Sequence, residues 1–171
     1  MGSHSSTEPN AVKFITVFTP TYNRAGLLHR VYDSLIRQTN QQFKWLIIDD
    51  GSTDGTREVV DRFIQDGKVE ISYVYKPNGG LHTGYNAAIA RLDTELSVCI
   101  DSDDWLERDA LRDLYTRAEK DQLDLLLFDA DAFADDPSLN TAVEMRKGYY
   151  IRNKCYDKIY KGADILNEIF K

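Results

Sequence analysis

Residues 43–52 read FKWLIIDDGS. From Phe43 to Asp49 the run is apolar nearly throughout and rich in β-branched and aromatic residues, as a strand covered on both faces should be. It ends on two carboxylates, Asp49 and Asp50, followed by a glycine that tolerates positive φ and a serine suited to a turn or helix cap. A buried strand that stops at acidic and turn residues and then enters a helical pattern is one unit of an alternating α/β chain.

The same grammar recurs on either side. Lys13 to Thr19 (KFITVFT) reads as a first strand stopped by Pro20. Leu27, Leu28, Val31, Leu35 and Ile36 then form one apolar stripe at helical spacing, within a helix reaching Gln38. Ser52, Thr53 and Asp54 supply capping oxygens for a helix through Gln65, with Val59, Val60, Phe63 and Ile64 inward. Val69 to Tyr75 is a third strand, Pro77-Asn78-Gly79-Gly80 a loop, and Thr83 to Arg91 a helix of small residues. Glu95 to Ile100 (ELSVCI) is a fourth strand. Ala110, Leu111, Leu114, Tyr115 and Ala118 mark another amphipathic helix, and Leu123 to Phe128 (LDLLLF) a fifth strand. After Ala134 the regularity fades; Asp135-Asp136-Pro137 is a turn and only Ala163 to Phe170 again looks helical. The expected fold class is α/β, a mostly parallel, doubly wound sheet with helices on both faces.

Composition narrows the function. The chain has 171 residues, 42% of them hydrophobic, which suits one compact domain with a real core. Met1 to Asn10 (MGSHSSTEPN) is polar and without periodicity, and reads as a cloning remnant with a loose leader. The net charge of -7 argues against binding to a nucleic-acid backbone. No apolar run is long enough for a transmembrane segment. Cys99 and Cys155 lack metal-ligand spacing, so a reduced, cytoplasmic protein is expected. Charge is uneven: Asp93 to Asp136 holds 15 acidic residues against four basic ones. Glu144 to Lys161 holds six basic residues and four tyrosines. That segment reads as a solvated strand or loop, the alternative being a patch for an anionic acceptor or the inner face of a membrane.

In an open parallel sheet, ligands bind at the carboxyl ends of the strands. The residues just after each strand are therefore informative: Thr19-Pro20-Thr21-Tyr22-Asn23-Arg24, then Asp49-Asp50-Gly51-Ser52, then Asn78-Gly79-Gly80-Leu81-His82-Thr83, then Asp101-Ser102-Asp103-Asp104. Singly, each has a structural explanation, since Ser52 and Asp103 or Asp104 could be caps, Tyr22 a packed aromatic and His82 an ordinary loop histidine. Jointly, two sets of carboxylates at one sheet edge would repel unless something positive lay between them. A hard divalent cation, Mg²⁺ or Mn²⁺, resolves that conflict, and it invites a diphosphate. A tyrosine face beside an aspartate acceptor suits a flat heterocycle bearing an N–H.

In order and spacing, the first, second and fourth of these motifs resemble the family 2 glycosyltransferases, inverting enzymes of the GT-A, Rossmann-like fold that use nucleotide-diphosphate sugars. The resemblance covers roughly Lys13 to Phe128, and Asp101-Ser102-Asp103-Asp104 corresponds to the family's DxD-type motif. It implies that Pro20, Thr21 and Tyr22 line the base pocket, with Asn23 and Arg24 beside them and Tyr22 stacked on a uracil-like ring. Asp50 would accept the base N–H, with Asp49 supporting the loop or the ribose. Gly80 and His82, in the segment from Gly79 to Asn86, would pass close to the ribose and phosphates; the basic residue common between the second glycine and the histidine is here Leu81. Asp101 would lie near the ribose, with Ser102 also in the nucleotide site, and Asp103 would hold the metal.

By the same resemblance, residues 13–134 form the nucleotide-sugar-binding domain, 1–12 a leader and 135–171 a partial acceptor-side segment. The implied partners are a nucleotide-diphosphate sugar, UDP-sugar favoured, and a glycan or lipid-linked acceptor. The acceptor-side base of the family lies downstream of the DxD-type motif, beyond Lys171 by this reading. Asp129, Asp131, Asp135 and Asp136 match no base motif, and no catalytic base is named. The alternative is a nucleotide-sugar-binding module lacking transfer activity because the acceptor-side half is absent; separately, this chain is expected to transfer slowly or not at all, and an uncovered apolar surface to favour self-association. A nucleotidyltransferase or a dinucleotide-dependent dehydrogenase fits less well, because no glycine-rich loop comes after the first strand.

Overall fold

The structure, a computed structural model, describes residues 14–128 together with Ala130, Asp131, Asp136 and Ser138. Expectations for 1–13, for the basic segment 144–161, for the helix at 163–170 and for Asp129 and Asp135 lie outside the described residues. The chain divides into two compact units, residues 1–115 and 116–171.

The first unit is built as β1 (Ile15–Thr21), α1 (Leu28–Ile36), β2 (Phe43–Asp49), α2 (Thr56–Asp66), β3 (Ile71–Tyr75), α3 (Leu81–Ile89) and β4 (Leu96–Cys99), followed by the start of α4 (Ala110–Asp121). The four strands form one sheet in the order β3-β2-β1-β4, and every pairing is parallel. Because side chains alternate along a strand, the sheet presents two apolar faces. Ile15, Val17, Trp45 and Ile47 pack with Leu28, Val31 and Leu35 of α1, Val60 of α2 and Leu111 of α4. Phe18, Leu46 and Ile48 face the other way, against Ala88 and Tyr85 of α3. The doubly wound α/β expectation therefore holds, and β1 and β2, central in the sheet, are buried almost throughout.

Three local expectations need correction. Pro20 does not stop β1, which continues to Thr21 in register with β2, Pro20 opposite Ile48 and Thr21 opposite Asp49. The reason is directional. Phe18 turns its carbonyl to the β4 side, where the Ile100 N–H donates to it (3.0 Å), and Pro20 shares that orientation two residues on. The β1–β4 ladder has already ended at Phe18–Cys99, so no partner requires the N–H that proline lacks. Ile64, expected inward, is exposed on α2, whereas Val60 is buried.

The third correction is the fifth strand. Leu123 to Phe128 is irregular, and Leu125 and Phe128 are exposed. In the second unit α4 ends with Gln122 at φ 50°. The Leu123 N–H donates to the Ala118 carbonyl (3.0 Å) and the Gln122 N–H to that of Glu119 (3.4 Å), the left-handed helix stop. The first residue of the apolar run thus completes the helix end.

Candidate functional site at the carboxyl edge of the sheet

In the order 3-2-1-4 the chain reverses direction of winding between β1 and β4, and the crevice beyond the strand ends there is where such sheets take ligands. The residues after β1, β2 and β4 all reach this edge. Tyr22 stands about half exposed at the end of β1 (48%), large for an aromatic ring with a hydrophobic body. Asn23 and Arg24 are exposed beside it, while Pro20 and Thr21 are buried. The Thr21 hydroxyl is buried and has no hydrogen-bond partner among the described residues.

A network of short bonds fixes the Tyr22 loop to the loop after β2. Asn23, held at φ 51°, donates its N–H to Ser52 Oγ (2.9 Å) and accepts the Thr53 N–H on Oδ1 (2.8 Å). Asp54 accepts the Ala25 N–H (3.1 Å) on one oxygen and the Thr56 N–H (3.0 Å) on the other, so it ties the β1 loop to the first residue of α2. Ser52 therefore serves Asn23, and the N-cap position of α2 is Gly55, which makes no side-chain cap hydrogen bond. Asp49, 1% exposed, accepts the Ser52 N–H (2.7 Å) and the Tyr73 hydroxyl. Burial, then the hydrogen bond to Asp49, push the Tyr73 phenol far up and keep it protonated, with Arg57 over its ring at 4.8 Å. Asp49 thus bonds the start of its own loop to β3.

Asp50 is the most heavily bonded group of the site. It is 4% exposed, and the Lys76 ammonium pairs with its Oδ1. The Gly79 N–H donates to Oδ1 (3.0 Å) and the Gly80 N–H to Oδ2 (2.8 Å), so a carboxylate at the end of β2 holds the two glycines that lead into α3. Lys76 also donates to the Pro77 carbonyl (2.7 Å) and to Thr83 Oγ1 (2.7 Å). Burial works to raise the Asp50 pKa, but Lys76 and the two backbone N–H groups outweigh it and hold the carboxyl below its ordinary value. The loops touch closely enough to need glycine. A Cβ on Gly51, at φ 84°, would lie 2.7 Å from the Asn78 backbone nitrogen, and Asn78 Nδ2 donates to the Asp50 carbonyl (2.8 Å). Sequence reasoning missed Lys76, and it quoted Thr83 only as part of the loop after β3. The signal available was the need for a positive partner beside Asp50, answered here by a lysine of the chain.

The acidic residues after β4 differ. Asp101, Asp103 and Asp104 are exposed around the buried Ser102, and among the described residues no Lys or Arg pairs with them. Burial, then the nearness of Asp103 and Asp101, raise the Asp104 pKa, the mark of carboxylates crowded without a cation. They cap nothing. The next segment is instead tied to α1: Gln38 Nε2 donates to the Glu107 carbonyl (2.7 Å), the Leu111 N–H donates to Gln38 Oε1 (3.0 Å), and the Leu106 N–H donates to Ser34 Oγ (3.2 Å). Since β1 lies between β2 and β4, the Asp49–Asp50 pair and the Asp101–Asp104 group are two strand spacings apart, roughly 10 Å. The charge at the β2 end is thus answered by Lys76, while at the β4 end the carboxylates stay crowded. Among the described residues no three His, Cys, Asp or Glu side chains form a protein-only metal cage. His82 and Leu81 are exposed on the first turn of α3, and Gly80 stands at φ 85° before them.

Comparison with known proteins gives a consistent result. A family model described as glycosyl transferase family 2 matches residues 16–166, beyond Phe128 where the motif resemblance stops. Glycosyltransferase GlyA of Streptococcus pneumoniae is 28% identical over 92% of this chain and 22% of its own length. The hyaluronan synthase of Pasteurella multocida is 35% identical over 60% of this chain and 10% of its own length. The chain therefore spans less than a quarter of the length of either relative. Among solved structures, S. aureus TarS 1-349 in complex with UDP-GlcNAc matches with a TM-score of 0.65 at 25% identity, covering 74% of this chain and 38% of that one. A mannosyltransferase of Pyrobaculum calidifontis shares the fold, with a TM-score of 0.58 at 24% identity over 78% of this chain and 39% of its own.

Proposed function

The chain belongs to glycosyl transferase family 2, and from that premise we propose that it binds a nucleotide-diphosphate sugar, UDP-linked, for transfer of the sugar to a glycan or lipid-linked acceptor hydroxyl in glycan synthesis. The observation that carries the reading is the switch-point edge itself: an exposed aromatic ring, Tyr22, beside a fixed buried acceptor, Asp50, with carboxylates at the end of β4 that no described Lys or Arg pairs with. The UDP-GlcNAc complex of TarS supports the choice of a uridine donor.

Each residue has a task in this reading. Tyr22 stacks on the base, a contact every heterocycle offers. Asp50 accepts the base N–H, and Thr21, whose buried hydroxyl lacks a partner among the described residues, sits under that pocket. Asp101 and Ser102 border the ribose. Asp103, next to Asp101 and Asp104, would hold a divalent cation, Mn²⁺ or Mg²⁺. The donor set fits, because such ions take a few carboxylate oxygens plus substrate phosphates rather than an all-protein cage. When bound, the ion neutralises charge that develops on the departing diphosphate. In an inverting transfer the bond from the anomeric carbon to the diphosphate oxygen breaks as the acceptor oxygen attacks the opposite face, and the acceptor proton passes to a carboxylate base. No described residue is assigned that last task. No described helix is long and apolar enough to cross a membrane; a cytoplasmic protein at the inner face of a membrane fits a lipid-linked acceptor.

The test is calorimetric titration of UDP with and without Mn²⁺. Micromolar-range binding that depends on the cation is expected; no binding of any nucleoside diphosphate would sink the reading.

A further inference from the structure

Lys76 has an unusual position for a lysine. Its stem is largely buried, and its three ammonium protons each have a partner: Asp50 Oδ1, the Pro77 carbonyl and Thr83 Oγ1. It therefore has no donor left for a ligand. What it does is to order an acceptor. Asp50 Oδ1 is occupied by Lys76 and by the Gly79 N–H, with Thr83 Oγ1 a further 3.3 Å contact, whereas Oδ2 carries the Gly80 N–H alone. A carboxylate oxygen accepts two hydrogen bonds, so the acceptor capacity left on Asp50 is concentrated on Oδ2.

We propose that Lys76 is a positioning residue for donor selection: by fixing Oδ1 to the 76–83 turn, it presents Oδ2 as an acceptor and so selects a nucleoside diphosphate whose base carries a ring N–H over one whose corresponding nitrogen is bare. Uracil offers such an N–H and cytosine a lone pair, which an ionised carboxylate repels. The inference rests on the nucleotide-binding reading above and deepens it. Two further observations make the turn a rigid holder rather than a passive loop. Gly80 adopts φ 85° and ψ 163°, a region open essentially to glycine. A Cβ on Gly79 would lie 2.8 Å from Thr83 Oγ1 and 3.3 Å from Lys76 Nζ, so the ammonium is seated directly against the turn.

The experiment compares UDP and CDP binding by calorimetry in the parent chain, in Lys76→Met and in Lys76→Arg, alongside amide hydrogen exchange at Gly79 and Gly80 without nucleotide. The parent is expected to prefer UDP. Lys76→Met should lose about tenfold or more in UDP affinity, as befits a displaced charge-assisted bond, while CDP binding changes little, so the preference collapses. Lys76→Arg, which keeps the charge, should retain part of it. Exchange at Gly79 and Gly80 should quicken in Lys76→Met. A merely structural lysine would weaken UDP and CDP alike, and that result, or an unchanged UDP preference in Lys76→Met, overturns the inference alone. A parent chain that binds neither nucleotide overturns the underlying reading, and the inference with it. Should Lys76→Met lose its circular dichroism signal, Lys76→Arg decides: a UDP-over-CDP preference reduced from the parent's supports the positioning role, and an unchanged preference rejects it.

Discussion

At Asp50 a single buried carboxylate joins β2, β3 and α3, because its acceptors reach Lys76, Gly79 and Gly80 at once. Such a contact demands close approach, and Gly51 permits it. Gly51→Ala places a methyl group against the Asn78 backbone at positive φ. The backbone strain alone costs about 1–3 kcal/mol, and the urea midpoint should fall accordingly; an unchanged midpoint would show that the two loops are not in contact. Tyr22→Ala should leave the circular dichroism spectrum intact and weaken nucleotide binding by roughly 1–3 kcal/mol, the worth of a base–aromatic stack. Unaltered affinity would make Tyr22 an ordinary loop residue. Asp103→Ala is expected to abolish the metal dependence of binding without loss of stability, since the side chain is exposed among like charges. Equal Mn²⁺ enhancement of UDP binding in variant and parent would remove Asp103 from the metal site.

Among the elements, α1 does more than cover the sheet. Its carboxyl end, through Ser34 and the buried Gln38 just past it, holds the backbone of residues 106–111, which lie just after the acidic loop. Gln38→Ala leaves the Leu111 N–H and the Glu107 carbonyl without these partners, at a cost of about 1–3 kcal/mol. Faster amide exchange over 101–111 should accompany the loss; a stability drop with no change in exchange there would argue against the tether. The periodic stripe of α1 was legible in its sequence, since Leu28, Val31 and Leu35 are fully buried as the spacing requires. Gln38 was not, because a glutamine satisfying three backbone groups looks like any polar residue near a helix end. The apolar run at Leu123–Phe128 misled for the converse reason: hydrophobicity admits a strand, but only an available ladder partner makes one.

Across the whole first unit, carboxylates are anchored at strand ends and in the loops that lead into helices, and this sets the response to acid. Burial opposes ionisation of Asp50 and Asp54, but Lys76 and the Gly79 and Gly80 N–H groups for the first, and Thr56 and Ala25 for the second, leave both below the ordinary value of 3.8. A folded pKa below the unfolded one gives stability that is full above the unfolded pKa and lost as pH falls from there through the folded value. Asp104 has the opposite sign, taking up its proton at higher pH in the folded chain. The urea midpoint should therefore be steady from neutral pH down to about 5 and drop below about 4. Asp50→Asn should flatten that drop while lowering stability at pH 7, because Lys76 then loses its charged partner. A drop of the parent's size in the variant would show that Asp50 is not the anchor.

Periodicity, strand-end carboxylates and turn residues were enough, in sequence, to determine an alternating α/β chain and the edge where its polar residues gather. These are local signals: side-chain spacing obeys the pitch of a helix or the pleat of a strand whatever the rest of the chain does. Tertiary structure decided the rest. It let Pro20 stay within β1 by ending β4 first, and it set β1 between the two acidic groups. It also brought Lys76 to Asp50, 26 positions away. Pairings of that range depend on which strands become neighbours, and strand order is written in no single segment.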